Sequence, residues 1–357
     1  MALQGYSTAA SRNLIRAAQD MLAHAQPITV LGDFGTQREM PQNQTDTLVF
    51  RRTLPLFASV AGVTIEAQPR YVATPGGTSS GLIPSSFLLG EGATPNANTI
   101  SFQDVTVQLQ QFGLLFKFSS KVELLYEDDI PTEMTKITGE SMAEILEMVR
   151  YGVLKAGSTV GYSNGSTRSA VNTVISLNAL RKIARTLESN RAKRVTTVLK
   201  AGVNYLTRAV QPAFVVFVHT DVVADVRNIT NFTRVEEYSS YSPIHPMEIG
   251  AVEDFRFIKS PLLASFQASG SATLNGMLTL GGANVDVYPV LIIGEDAWGQ
   301  VALKGMNAIK PTVLKSTTIN HANPLGQFGY VGASTWFNTV RLNEAWMARL
   351  EIAVTAL

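Results

Sequence analysis

The chain has 357 residues and a formal net charge of +1; 45% of its residues are hydrophobic, 16% are charged and none is cysteine. An average soluble protein has about 25% charged residues, so this composition predicts a real core and a surface that is partly covered, most simply by other copies of the chain. Because the chain has no cysteine, disulfides and thiolate metal sites are excluded. The small net charge gives no general argument for binding to nucleic acid or to an anionic membrane. No long apolar run is present, so no membrane-spanning helix is predicted.

The first 46 residues are predicted to form an N-terminal arm. Apolar residues recur at helical spacing from Ser7 to Ala25, and Pro27 follows, which predicts an amphipathic helix with a narrow, alanine-rich face. Such a face suits docking on a neighbouring surface better than forming a core. Residues 26–46 are polar, and we expect them to be extended. The segment lacks the basic start and apolar block of a secretory signal peptide, so no such signal is expected.

Two runs with the alternation of strands flank an irregular stretch. The runs begin at Thr47 (TLVFRRTLPLF) and at Ile100 (ISFQDVTVQLQQFGLLFKF), and the stretch from Thr74 to Ile100 is rich in Gly, Pro, Ser, Thr and Asn. The pattern predicts a long two-stranded arm with a loose tip. A hairpin alone is marginal in water, and ordering each residue costs roughly 1–2 kcal/mol of backbone entropy. We therefore expect the arm to need a partner surface.

Two helices are predicted next. The first runs from Ile130 to Ala156 and, at about 1.5 Å per residue, forms a spine roughly 35–40 Å long. Its predicted apolar face consists of Met142, Ile145, Leu146, Val149 and Val153. The second runs from Ser176 to Ser189, and its predicted buried face consists of Leu177, Leu180, Ile183, Ala184 and Leu187.

From Lys200 the pattern changes to buried strands with short helical segments. AFVVFVHTDVVADV predicts a strand, a turn and a short helix, and EIGAVEDFRFIKSP and VDVYPVLIIGEDAWGQVALKG predict further strands. These features indicate a mixed α/β domain at about 200–327. The apolar tail, STWFNTVRLNEAWMARLEIAVTAL, is strand-like, and we expect it to return to the sheet near the long helix. The fold class is therefore α+β.

Motifs that could carry chemistry are weak. GYSNG at 161–165 matches the G-x-S-x-G pattern of serine hydrolases, with Ser163 as nucleophile, but that elbow must link a buried strand to a helix, and an ordinary Asn-Gly loop is better supported. The histidines do not pair at metal-ligand spacing, and His219 with Asp221 is interpreted as a turn or cap. The acidic run 127–129 favours a solvated helix start over a cation site. We expect no enzyme activity, no metal and no cofactor.

One basic stretch begins on the second predicted helix and continues just after its end. Its cations have only Glu188 among them and no interleaved aromatic residues, so base stacking is not expected. It could line a surface that faces packed nucleic acid through phosphate contacts, or it could be a solvated helix face, which is the commoner explanation of a charge run. The candidate DNA-facing residues are Arg181, Lys182, Arg185, Arg191, Lys193 and Arg194.

The predicted arms have no partner within the subunit, the chain has few charged residues, and no set of catalytic residues is evident. These features favour a shell-forming subunit over an enzyme. Longer stretches carry a family resemblance, among them LLGEGATPNANTISFQDVTVQLQQFG, HTDVVADVRNITNFTRVEEYSS and NPLGQFGYVGASTWFNTVRLNEAWMARLE. They resemble the major capsid proteins of tailed bacteriophages with the Hong Kong 97 (Johnson) fold, and among these the coat-protein family named after the N-four podophage. The resemblance runs from about residue 8 to the C-terminus. An encapsulin-like, non-viral compartment shell is the alternative.

The resemblance implies an architecture. Its parts are an N-terminal arm (1–46), a peripheral domain (47–63 and 109–199) with spine helix 130–156, an extended β-hairpin loop (64–108), an axial α/β domain (200–327) and a C-terminal return to the peripheral domain (328–357). The extended loop would lie across a neighbouring subunit, which explains an arm without support of its own. The apolar tip residues expected to make this contact are Leu82, Ile83, Phe87, Leu88 and Leu89.

The resemblance also implies function and partners. We expect self-assembly into pentamers and hexamers that form an icosahedral shell around packaged double-stranded DNA, with non-specific DNA contacts. Scaffold, portal and decoration proteins are further candidate partners, and no membrane is expected. The location would be the capsid shell of the virion, assembled in the cytoplasm of the bacterial host. Some members of this fold join a loop lysine to a neighbour's asparagine, but this sequence has no lysine before Lys117, so no such cross-link is expected.

Overall fold

The computed structural model describes residues 21, 29–41, 45–53, 71–73, 80–82, 91–92, 102–125, 129–200, 206–238, 243–303, 309–319, 321 and 323–357. In chain order, the strands are β1 (Thr36–Met40), β2 (Thr47–Thr53), β3 (Tyr71–Ala73), β4 (Ser80–Leu82), β5 (Phe102–Gln108), β6 (Gln110–Ser119), β7 (Val160–Tyr162), β8 (Val195–Lys200), β9 (Leu206–His219), β10 (Thr233–Arg234), β11 (Glu248–Val252), β12 (Phe255–Ser260), β13 (Tyr288–Ile293), β14 (Trp298–Leu303), β15 (Ile309–Leu314), β16 (Phe328–Arg341) and β17 (Met347–Ile352). The α-helices are α1 (Ser120–Leu125), α2 (Ile130–Lys155), α3 (Leu177–Ser189) and α4 (Val223–Arg227).

One sheet, with five strands among the described residues, is built around β16. The strands β14, β15 and β6 pair antiparallel with β16, and β1 extends the sheet by pairing in parallel with β14. The helix α2 packs on one face, where Met142 joins Phe118, Val331 and Ala333 in a buried cluster. The strand β16, which contains the first part of the apolar tail, therefore lies in the sheet that α2 covers.

The second sheet has eight described strands, in the order β10-β11-β12-β9-β13-β17-β7 with β8 on β9. Its strand β9 is apolar on both faces because both faces are covered. Phe214 and Val216 lie in a cluster with side chains of α3, whereas Val215 and Phe217 lie in a cluster with side chains of α2. The region after Lys200 contains strands of both sheets and the short helix α4.

The helix α3 forms as its sequence predicts. Ser176 is the N-cap, and its Oγ accepts the backbone N–H of Ala179 at 3.3 Å, which satisfies one of the unpaired donors of the first turn. The predicted residues Leu180, Ile183 and Leu187 are all buried. This face packs on the eight-stranded sheet.

The helix α2 has the predicted range to within one residue, but the side that it buries is not its predicted apolar face. Met142 is buried, whereas the other four residues of that face, Ile145, Leu146, Val149 and Val153, are only partly buried. The buried side is instead Thr135, Thr138, Gly139, Met142, Ala143, Glu147, Arg150, Tyr151 and Leu154. Apolar spacing missed this side because Glu147 and Arg150 are charged. The two can be buried because they pair with each other, at 3.2 Å, one helical turn apart.

The N-terminal segment is packed more closely into its own subunit than predicted. Met21 is helical and buried, and its backbone lies so close to Gly139 of α2 that a Cβ on Gly139 would collide with it. Residues 26–46 are not simply a polar, extended arm, because part of them enters the core. The residues buried there are Val30, Leu31, Gly32, Gly35 and Met40. Apart from Met21, the predicted helix from Ser7 to Ala25 lies outside the described residues.

The two sheets cross the predicted domain boundaries. β14 and β15, within the range 200–327, belong to the five-stranded sheet, and β17, within 328–357, belongs to the eight-stranded sheet. α3, within 109–199, packs on the eight-stranded sheet rather than beside α2. Periodicity identifies a strand, but not the sheet that it joins, because strand partners are chosen by contacts distant in sequence.

Candidate assembly surfaces

The arm begins as a strand pair that is tied to the five-stranded sheet. β2 and β5 pair antiparallel, from Thr47 opposite Gln108 to Thr53 opposite Phe102. At the inner end of the pair, Asn338 Nδ2 of β16 donates a hydrogen bond to Gln108 O at 2.6 Å. The predicted pairing of the two alternating runs is confirmed, and the base of the arm is part of the subunit's own fold.

The two faces of the strand pair differ in exposure, because Phe50 (opposite Val105) and Phe102 (opposite Thr53) lie on different faces. Phe50, near the middle of β2, is 5% exposed, whereas Phe102, at the outer end of the pair, is 58% exposed. Val49 is also exposed. The buried cluster under the base consists of Met40, Phe50, Val107, Leu109 and Val301. The outer end therefore presents apolar area that the described residues of its own subunit leave in contact with water.

Polar pairs across the arm keep its register. Arg51 donates from Nε and Nη2 to the two carboxylate oxygens of Asp104, its directly opposite residue, both at 2.8 Å. These hydrogen bonds hold the pKa of Asp104 below its ordinary value and raise the pKa of Arg51. Arg52 Nε donates to Gln103 Oε1 at 2.9 Å on the adjacent opposite pair. Because the Arg51–Asp104 pair is exposed to solvent, it selects a register more than it stabilises the fold.

The predicted contact residues at the tip of the arm lie almost wholly outside the described residues. Leu82 ends β4, which pairs antiparallel with β3 so that Leu82 is opposite Tyr71. The other four, Ile83, Phe87, Leu88 and Leu89, are not among the described residues. Their contact with a neighbouring subunit stays a prediction.

Acidic side chains partly neutralise the basic stretch. Arg194 Nη1 lies 2.8 Å from Asp254 Oδ1, and its Nη2 lies 2.7 Å from Glu188 Oε1. Arg181 pairs with Glu253, and its hydrogen bonds hold the pKa of that carboxyl below the ordinary value. Four exposed cations form no ion pair with the described residues: Lys182, Arg185, Arg191 and Lys193. The surface available to phosphates is therefore smaller than the six-residue stretch suggested.

A second apolar surface, absent from the sequence-based expectations, lies where α1 meets the loop between β15 and β16. Its four aliphatic side chains are 71–78% exposed: Leu124, Leu125, Ile319 and Leu325. The Ser120 N–H donates to Gln327 O at 2.7 Å, and the Ser316 N–H donates to Glu123 Oε2 at 3.1 Å, so helix and loop are held together. The loop sequence has no apolar period that could have signalled this surface.

The buried amide of Asn323 orders this loop. Its Nδ2 donates to the carbonyl oxygens of Phe328 at 2.8 Å and Ser316 at 3.3 Å, and its Oδ1 accepts the N–H of Gln327 at 2.8 Å. A loop held in one conformation loses less entropy on binding than a mobile one. The exposed aliphatic side chains are therefore presented in a fixed arrangement.

The remaining motifs have structural partners. Ser163 Oγ donates to Thr173 O at 2.9 Å in a turn after β7, and no strand-to-helix elbow forms at this position. His219 Nδ1 accepts the N–H of Asp221 at 3.2 Å, which is the predicted cap. Over the described residues, no group of three or more His, Cys, Asp or Glu is placed to hold a metal ion. The helices within the described ranges are too short or too polar to cross a bilayer.

Comparison with known proteins decides the family. The model of the family described as phage capsid protein matches residues 103–319, well over half of the chain. The chain belongs to the phage capsid protein family. The match spans β5 of the strand pair, the long helix α2, three strands of the five-stranded sheet and seven of the eight described strands of the other sheet. The predicted identity as a tailed-phage major capsid protein is therefore confirmed, and this assignment is favoured over the encapsulin-like alternative.

Individual capsid proteins and solved capsids show the same relationship. The major capsid protein of Pseudomonas phage KPP21 is 20% identical over 278 residues, which cover 71% of this chain and 69% of that protein. The capsid of Ralstonia phage GP4 aligns over 90% of this chain and 87% of its own, with a TM-score of 0.57 and 9% identity. The capsid of cyanophage P-SCSP1u aligns over 92% and 89%, with a TM-score of 0.53 and 12% identity. At such identities, the likeness shows a shared mixed α/β fold of the Hong Kong 97 type.

Proposed function

We propose that this capsid protein assembles into pentamers and hexamers, which close into the icosahedral shell around the packaged double-stranded DNA of a tailed phage. Its role is structural rather than catalytic. It is assembled in the cytoplasm of the bacterial host and remains in the virion. Family membership supports the capsid role, and the low content of charged residues suits a surface used for contacts between copies. Repeated head-to-tail contacts close into rings, which allows one chain to form both capsomers.

We assign the parts of the subunit from the sheets rather than from chain order. The five-stranded sheet with α2 as its spine helix is the peripheral domain, and the eight-stranded sheet with α3 and α4 is the axial domain. The pair β2–β5 and the residues between these strands form the extended loop, and the residues before β1 form the N-terminal arm. This assignment moves β14 and β15 to the peripheral domain and moves β7, α3, β8 and β17 to the axial domain, because shared cores define domains.

The exposed face of the strand pair, which carries Val49 and Phe102, supports the proposal. Phe50 is buried at the anchored base, and Phe102 is exposed at the outer end of the same strand pair. Because the base is bonded to β16 and the register is held by Arg51 and Asp104, the outer end is presented in one orientation. We propose that a neighbouring subunit covers Phe102 together with the tip. The tip residues in this contact are Leu82, Ile83, Phe87, Leu88 and Leu89.

Replacement of residues 74–98 by a short turn tests this function. The core clusters formed by the described residues lie outside this segment, so we expect a folded subunit with a cooperative melt by circular dichroism. We expect no shells by light scattering and negative-stain imaging. Normal shells would refute the role of the loop, and an unfolded product would mean that the segment belongs to the subunit's own core. DNA inside native particles distinguishes a phage shell from an encapsulin-like compartment.

The four exposed cations of the basic stretch are the proposed DNA contacts. Lys182, Arg185, Arg191 and Lys193 would neutralise phosphates without reading sequence. The ion-paired Arg181 and Arg194 instead connect α3 and the residues after it to the turn between β11 and β12. Scaffold, portal and decoration proteins are further proposed partners, and purification of assembly intermediates from infected cells would identify them.

A further inference from the structure

Residues 30–40, here called the strap, connect the two sheets. At one end, Val30 and Leu31 are buried in the cluster that contains Val215 and Phe217 of the eight-stranded sheet. At the other end, β1 pairs with β14 of the five-stranded sheet, from Thr36 opposite Gly299 to Met40 opposite Leu303. The strap packs on one sheet and pairs with a strand of the other. It can therefore keep all these contacts at only one orientation of the two sheets relative to each other.

A buried carboxylate holds the strap on α2. Glu147 is 1% exposed, and its oxygens accept the backbone N–H groups of Val30, Leu31 and Gly32 at 2.8, 3.3 and 3.4 Å. These donors lie at the start of a short 3-10 turn, Leu31–Phe34, where N–H groups have no partner inside the turn. The three N–H groups reach the carboxylate together only when the strap is in this register on α2. A shift of the strap by one residue would break these hydrogen bonds.

The charge of Glu147 is balanced within the same network. Arg150 Nη1 lies 3.2 Å from Glu147 Oε1, and Arg150 Nε donates to Gln300 Oε1 at 2.9 Å. Gln300 Nε2, on β14, donates to Gly32 O of the strap at 2.7 Å. The helix α2, the strand β14 and the strap therefore share one closed circuit of buried hydrogen bonds, in which the loss of any member leaves another unpaired.

The other side of the strap contacts the eight-stranded sheet. Phe34 packs edge-on against Phe217 of β9, with ring centroids 5.3 Å apart. Asp33 Oδ2 lies 3.5 Å from His245 Nε2, in the loop before β11. With these contacts, the strap is held by α2, by β14 and by the eight-stranded sheet at once.

We propose that the strap is a conformational device that sets the angle between the two sheets, with Glu147 as its positioning residue. A buried ion pair adds little stability compared with apolar packing of the same volume, but it tolerates a narrower range of geometries. An apolar side chain at this position would fill the space and would let the strap slide. The inference rests on the proposed shell-forming function, because the angle between the sheets sets the shape of the subunit and thereby the curvature of the shell.

Glu147→Gln tests the device, because it keeps the volume of the side chain and removes its charge. In the isolated subunit, we expect the amides of residues 30–32 to exchange hydrogen at least about tenfold faster, while amides in β9 and β16 keep their wild-type rates. Shells from this variant should vary in diameter by cryo-electron microscopy, whereas wild-type shells should not. Glu144→Gln, on the exposed side of α2, is the matched control and should change neither measurement.

Phe34→Ala is a second variant, which weakens the contact of the strap with β9 without removing a buried charge. If the Glu147→Gln protein does not fold, the same two measurements are made on Phe34→Ala. Faster exchange in the strap with shells of wild-type diameter would overturn the proposal, and so would unchanged exchange in the strap. A wild-type protein that forms no shells would refute the proposed function instead, and the exchange of residues 30–32 would still decide whether Glu147 anchors the strap.

Discussion

Two phenylalanines on the same strand pair allow the role of the arm to be separated from the stability of the subunit. Phe102→Ala removes an exposed ring at the outer end, and Phe50→Ala removes a buried ring at the base. A phenylalanine side chain offers about 200 Å², so the 58% exposure at position 102 corresponds to about 115 Å². At about 25 cal/mol per Å², covering this area on a neighbour contributes at most about 3 kcal/mol per contact.

Phe102→Ala is therefore expected to leave the melting temperature of the subunit unchanged and to raise the concentration needed for assembly by up to about 100-fold. Phe50→Ala should instead lower the stability at the base of the arm by about 3–5 kcal/mol, the usual loss for a buried phenylalanine. Circular dichroism reports melting, and light scattering over a concentration series reports assembly.

Either of two results would refute the reasoning for Phe102. Assembly of Phe102→Ala at the wild-type concentration would show that no neighbour covers the outer end of the arm. A lowered melting temperature for this variant would show that the ring is packed within its own subunit. The Phe50→Ala variant is the reference for the second result, because it shows how far the melting temperature falls when a buried ring is removed from the same strand pair.

Three further predictions concern cross-linking of the shell, contact with DNA and the buried carboxyl group of Glu147. Mature particles should dissociate in hot detergent into single 38.6 kDa chains, because the sequence has no cysteine and no lysine before Lys117; a ladder of multimers on a denaturing gel would contradict this. Lys182→Ala combined with Arg185→Ala should flatten the salt dependence of DNA binding in a filter assay by a slope of about 2, since each lost phosphate contact removes about 0.9, and an unchanged slope would exclude these residues from the contact. Burial raises the pKa of Glu147, so the folded chain holds this proton more tightly than the unfolded chain. The stability from this carboxyl is full below its unfolded pKa of about 4.3 and is lost as the pH rises through the folded value. In urea unfolding between about pH 4 and 8, the stability of the wild type minus that of Glu147→Gln should therefore fall as the pH rises; a difference that grows with pH would mean that Arg150 and the strap amides outweigh burial.

The amino-acid sequence by itself determined the type of most elements and the class of the protein. The helices α2 and α3 were predictable because caps and apolar spacing act within one or two turns, and Ser176 caps α3 as such a signal predicts. The pairing of β2 with β5 was predictable because two alternating runs flank one irregular stretch. Long stretches shared with a capsid family were enough to assign the chain to it, and the family match over residues 103–319 confirms that assignment.

The tertiary structure alone decided which sheet each strand joins and which charges are buried or neutralised. Glu147 and Arg150 look like surface residues in the sequence, yet mutual pairing and the backbone of the strap offset the cost of burying them. Arg181 finds its acid 72 positions away, and Arg194 finds one of its acids 60 positions away, which removes both from the free basic surface. Such partners are distant along the chain and adjacent only after folding, so no local pattern of residues can encode them.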